Sequence, residues 1–126
     1  MTGRSRDEIE ELFEDLWQVP RFVAGQQRFR PQCDCFRLDD PPELHVVVEL
    51  PGADIESVHV SAAGRALVVT GRRGRPRVEG ARYRQMEIDY GEFERRLELE
   101  ENVDASRATA TYERGLLRIV LPLETA

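Results

Sequence analysis

Residues 110–122 read ATYERGLLRIVLP. Ala108, Ala110 and Tyr112 share one face of a first strand, and Leu117, Ile119 and Leu121 share one face of a second. That is the two-residue alternation of a β-hairpin. Glu113, Arg114 and Gly115 fall at the turn, where Gly115 supplies the positive φ that a tight turn needs. Pro122 has no N–H to donate and is expected to end the pairing. Leu116 and Val120 place apolar groups on the opposite face as well. The second strand is therefore covered on both sides, or covered on one and open to a partner on the other.

Outward from the hairpin the same period recurs. Phe93, Arg95, Leu97 and Leu99 lie along one strand face. Leu67 and Val69 point inward from a strand over 66–70, and Val58 and Val60 from one over 57–61, with Ala62-Ala63-Gly64-Arg65 as the turn between them. Leu44, Val46, Val48 and Leu50 form a further strand stopped by Pro51-Gly52, preceded by a short strand over 33–38 and an Asp39-Asp40-Pro41-Pro42 turn. Short alternating strands separated by turn signals imply an all-β antiparallel sandwich. Between them, residues 72–84 (RRGRPRVEGARYR) are basic, rich in Gly and Pro, and read as a long loop. Residues 83–88 (YRQMEI) alternate and suggest a short strand carried by that loop.

Residues 1–32 form an arm ahead of the sandwich. A helix is predicted over about 5–18: Ser5 and Glu8 have capping-box spacing, and Asp7, Glu8, Glu10 and Glu11 suit the positive end of its dipole. Ile9, Leu12, Phe13, Leu16 and Trp17 make one stripe, and Phe22 and Phe29 follow in an irregular stretch. The stripe either packs on its own domain or a neighbouring subunit, or offers an apolar surface to other proteins.

Composition excludes several classes of function. The 126 residues suffice for one domain and an arm, with a net charge of −6 that argues against general nucleic-acid affinity. All 18 basic residues are Arg, so chemistry that needs a lysine is absent. No apolar run approaches a membrane span, and the acidic amphipathic N-terminus is neither a signal nor a transit peptide, so a cytoplasmic protein with reduced Cys33 and Cys35 is expected. His45 and His59 stand out of phase with the apolar residues and read as surface histidines. A zinc site from Cys33, Cys35, His45 and His59 would need wider cysteine spacing. No metal, no cofactor and no catalytic constellation is expected.

Four motifs in order carry a resemblance. Ala110, Tyr112, Gly115, Leu117, Ile119, Leu121 and Pro122 match A-x-Y-x-N-G-V-L-x-I-x-L-P, the signature of the α-crystallin domain of small heat-shock proteins, with Arg114 in place of Asn. Glu49–Gly52 (ELPG), Leu67–Gly71 (LVVTG) and Tyr90–Asp104 (YGEFERRLELEENVD) are similar to three more of its motifs, Glu100 standing where Pro is usual and allowing a longer strand. The resemblance covers about residues 32–123. It implies an immunoglobulin-like β-sandwich over 33–123, a swapped strand within the loop over about 72–90, and a short tail at 124–126.

The resemblance also implies partners. Tyr83–Ile88 of one subunit would pair with Cys33–Leu38 of another, giving a homodimer by strand exchange, with Cys33, Cys35, Tyr83, Met86, Ile88 and Arg95 at its interface. Val58, Val60, Leu67, Val69, Ala108 and Ala110 would line a groove that in the family receives an Ile-x-Ile tail. Residues 124–126 hold no such tail, and Ile119-Val120-Leu121 belongs to a strand. Large cages are therefore not expected, and the groove is left for Phe22 or Phe29 of the arm, another protein's tail, or a client. The implied function is an ATP-independent holdase that binds partly unfolded proteins through Ile9, Leu12, Phe13, Leu16, Trp17, Phe22 and Phe29 and through the groove. The alternative is an adaptor of the same fold that binds one folded partner.

Overall fold

The computed structural model describes residues 29–125. The predicted helix over 5–18 and the residues Ile9, Leu12, Phe13, Leu16, Trp17 and Phe22 lie outside the described residues. Six strands follow in order: β1 (Cys33–Asp39), β2 (Pro42–Glu49), β3 (His59–Arg73), β4 (Gly91–Val103), β5 (Thr109–Glu113) and β6 (Leu116–Pro122). They form two antiparallel sheets, one ordered β1-β2-β6-β5 and the other pairing β3 with β4. The alternation read from sequence decides which faces meet. Leu44, Val46, Val48 and Leu50 from the β2 side, and Leu117, Ile119 and Leu121 from β6, pack against Val58, Val60, Leu67, Val69, Phe93 and Leu99.

β3 is one continuous run of 15 residues, where the sequence suggests two strands and a turn. A straight strand of that length would hold its ends about 45 Å apart. Instead the Arg72 N–H donates to the Ser57 hydroxyl at 3.0 Å, and the Asp54 N–H donates to the Arg72 carbonyl at 3.1 Å. The chain therefore folds back within the run, at Gly64, whose φ of +59° is the one positive φ in it. The expected turn is present as a tight reversal with its strand geometry kept on both sides. At the far end Gly71 leaves no room for a side chain, because a Cβ there would sit 2.9 Å from the Phe93 ring.

Two other expectations change. Residues 83–88 form no strand; an isolated strand leaves its backbone groups unpaired, and among the described residues no strand runs alongside it. Pro122 does not end the pairing: β6 includes it, opposite Glu43. The missing N–H is no loss where the position need only accept, and the Pro122 carbonyl accepts from the Asp104 N–H at 2.7 Å.

The β5–β6 turn is two residues, Arg114 at φ +55° and Gly115 at φ +79°, as in a type I′ hairpin. The left-handed region costs a side-chain-bearing residue about 1–2 kcal/mol, and Asn much less. The exposed Arg114–Glu113 pair at 3.5 Å is too solvated to offset that cost. Arg114→Asn is expected to raise stability by about 0.5–1 kcal/mol in urea unfolding, with an unchanged m-value.

Candidate functional site

The large apolar side chains that remain exposed among the described residues are Phe36, Leu38, Val78, Tyr83, Met86 and Ile88, each between 44% and 59% accessible. All six belong either to β1 or to the loop over 74–90. β1 is an edge strand, paired with β2 alone among the described residues. Its Phe36 ring stacks on His45 at 5.1 Å, and the His45 imidazole lies 2.8 Å from the Glu43 carboxylate. On the other face, Arg37 donates to Glu101 at 2.7 Å and also bonds Asp39. An edge with free backbone groups and apolar side chains is a template for another strand.

Cys33 and Cys35 share a face of β1 as free thiols, Cys33 half-buried and Cys35 exposed. Burial pushes the Cys33 thiol above its ordinary value, against the pull of Arg95 and Arg30. Burial, then the Glu100 carboxylate, raises that of Cys35. Arg95 finds a carbonyl in its own chain, donating from Nη1 to the Pro31 oxygen at 2.5 Å. Tyr83, Met86 and Ile88 are exposed on the loop, and among the described residues no hydrogen bond or ring contact joins them to Cys33, Cys35 or Arg95. Val58, Val60, Leu67, Val69 and Ala110 are buried in the core, and Ala108 packs against it half-buried. Among the described residues, no three His, Cys, Asp or Glu side chains are grouped to share a cation.

Phe29 is placed differently from its sequence reading. It is buried, meeting Phe93 edge-on at 5.6 Å, with the Arg73 guanidinium 3.8 Å over its ring. A ring held this way anchors the start of the sandwich and has no free face for a client. Arg73 also donates to the Asp89 carbonyl at 3.1 and 2.5 Å and to the Pro51 carbonyl at 3.1 Å. It thereby ties the two roots of the loop together. Above it, Arg75 lies 4.5 Å from the Tyr90 ring centroid and 5.4 Å from that of Tyr83. Sequence reasoning passed over Phe36, Leu38 and Arg73. The alternation of Phe36 and Leu38 was visible, but the clasp made by Arg73 has no periodic signal.

These features coincide with known proteins. The sequence profile of the Hsp20/alpha crystallin family matches residues 37–126. A probable 15 kDa heat shock protein of Leptospira interrogans is 28% identical over 92 residues, 73% of this chain and 68% of that one. Among solved structures, heat shock protein 16.0 of Schizosaccharomyces pombe superposes with a TM-score of 0.69 at 28% identity, over 78% of this chain and 94% of its own. A small heat-shock protein of Xylella fastidiosa, described as having a distinct high-order structure, gives 0.68 at 27% identity, over 79% and 91%.

Two outcomes are expected. Because the thiolate is the reactive form, a raised pKa lowers its fraction at any given pH; alkylation of both cysteines in the folded protein should reach half its limiting rate above the free-thiol value of about 8.5, and return to about that value after unfolding. Phe29→Ala should cost about 3 kcal/mol in urea unfolding, far more than its position at the sandwich margin suggests.

Proposed function

The chain belongs to the Hsp20/alpha crystallin family, the family of small heat-shock proteins, which are chaperones without catalytic activity, and from that premise we propose that it is an ATP-independent holdase built on a strand-exchanged homodimer. The observation that carries the proposal is the confinement, among the described residues, of exposed large apolar side chains to β1 and the loop over 74–90. Each lacks what the other supplies. Among the described residues, β1 has an open edge, and residues 83–88 have an alternating pattern with no strand beside them. Reciprocal addition of the loop segment to β1 of a second subunit covers both and closes a two-fold pair. Arg95, beside Cys33 at the Pro31 carbonyl, stands at the margin of that contact.

Such a dimer uses up the apolar surface of the described domain. Clients then need another surface, and the stripe Ile9, Leu12, Phe13, Leu16 and Trp17, with Phe22, supplies it in the sequence. Partly unfolded proteins expose apolar area whose removal from water drives the association. No nucleotide is needed, since a holdase acts by mass action on non-native states. Of the expected groove walls, Val58, Val60, Leu67, Val69 and Ala110 are buried core and Ala108 is half-buried against it, so no client is assigned to them. A cytoplasmic location fits the proposal; no helix among the described residues is long and apolar enough to cross a membrane.

Light scattering of a heat-labile client, without ATP, checks the holdase: suppression is expected near one subunit per client. Deletion of residues 1–27 should abolish most of it while the circular dichroism of the sandwich is kept, and unchanged protection would remove the arm from the mechanism. For the dimer, Ile88→Lys places a charge in the exchanged pair and should weaken association at least about tenfold in sedimentation equilibrium. An unaltered dimer would rule out exchange through residues 83–88.

A further inference from the structure

Six of the 18 basic residues fall within residues 72–84, against a single acid, Glu79. Strand exchange leaves this concentration of charge unexplained, because the exchanging segment is residues 83–88. Arg72 is paired with Asp54 at 2.7 Å, Arg73 is spent on the clasp, and Arg75 faces Tyr83 and Tyr90. Among the described residues, Arg77, Arg82 and Arg84 have no carboxylate partner. We infer that this loop is a docking surface for the acidic face of the arm of the same chain, the segment Asp7–Asp15.

Three observations select that occupant. The first is charge: Asp7, Glu8, Glu10, Glu11, Glu14 and Asp15 put six carboxylates into nine residues, opposite in sign to the three guanidinium groups that the loop leaves without a carboxylate partner. The second is tethering. The arm joins the sandwich at Phe29, which lies directly beneath Arg73 at the loop's root. Residues 16–28 can span about 40 Å and the loop's tip lies at most about 30 Å from its root, so the segment reaches every arginine. A tether of that length holds it at an effective concentration in the millimolar range. The third is facing. At 100° per residue on the predicted helix, the six acids centre opposite the stripe Ile9, Leu12, Phe13, Leu16 and Trp17. Seating the acidic face on the loop turns the apolar stripe outward, so the contact presents the client surface. Arg suits the task, since its planar fork meets a carboxylate with two parallel bonds.

The inference rests on the arm as client surface, and its test reads the contact without a client. Trp17 is the only tryptophan, so time-resolved fluorescence anisotropy of the full chain separates local arm motion from tumbling of the assembly. Raising salt from about 0.05 M to about 0.5 M shortens the screening length severalfold and should raise the amplitude of the fast component about twofold. Arg77→Glu/Arg82→Glu/Arg84→Glu, with the sandwich intact by circular dichroism, should show the high amplitude at low salt. Adding Glu8→Arg/Glu11→Arg/Asp15→Arg to that variant should restore the low amplitude. An anisotropy decay indifferent to the loop reversal, or a reversal that the compensating arm changes do not rescue, overturns the docking. Client protection measured on the same proteins keeps the two ideas apart: a rescued anisotropy with protection unaltered throughout upholds the contact and refutes the arm as client surface.

Discussion

The sandwich depends on a seam at Leu50. The Leu50 side chain is fully buried between the sheets, while its backbone lies where the chain leaves one sheet for the other. Buried peptide groups must be paired, and both of Leu50's are. Its N–H donates to the Gly115 carbonyl at 2.7 Å, and its carbonyl accepts from the Tyr112 hydroxyl at 2.7 Å. The β5–β6 hairpin thus grips the Leu50-Pro51-Gly52 turn through its own turn residue and its one aromatic. Gly115 has a double duty there. A Cβ would come within 3.1 to 3.2 Å of Pro51, so the position needs both a positive φ and an absent side chain. Lose the grip, and the apolar faces of β2 and β6 are no longer held opposite β3 and β4.

Once the core is closed, what remains outside is informative. A domain this small could scatter a few apolar side chains at random. Among the described residues they are gathered on one edge strand and one loop. The acidic strand face shows the contrasting treatment: Glu94 sits in an ion pair with Arg96 at 3.1 Å, which moderates the repulsion among its like-charged neighbours. Among the described residues, the exposed apolar groups of one subunit thus lie on two elements, which the proposed strand exchange would cover together.

Much of this was legible in the residues. Leu44, Val46, Val48, Leu50, Leu117, Ile119 and Leu121 announce their faces because a strand's period is two and burial enforces it. The turn at Gly115 was legible for a steric reason, and Glu100 correctly marked a longer β4, which runs on to Val103. What escaped the sequence lacked a period. Residues 83–88 alternate like a strand, but alternation describes side chains and says nothing of whether a neighbour is present to take the backbone bonds. Pro122 announces a missing donor, but whether its position has to donate is decided by the neighbouring strand and not by the residue itself. Phe29 looked like one more exposed aromatic of the arm; only the three-dimensional meeting of Phe93 and Arg73 makes it an anchor.

The clasp at Arg73 has a consequence in polymer terms. It gathers three strands of covalent connectivity to nearly one point: the exit of the arm at Phe29 and both roots of the loop, at Arg73 and Asp89. Two chain segments grafted at a common origin share one volume, and each is denied the configurations that the other occupies. In the proposed strand-exchanged dimer, a second subunit that immobilises the loop would also reshape the space left to the arm. In the proposed dimer, assembly and arm presentation would thus be coupled through shared volume as well as charge, with no conformational change in the sandwich required to carry the signal.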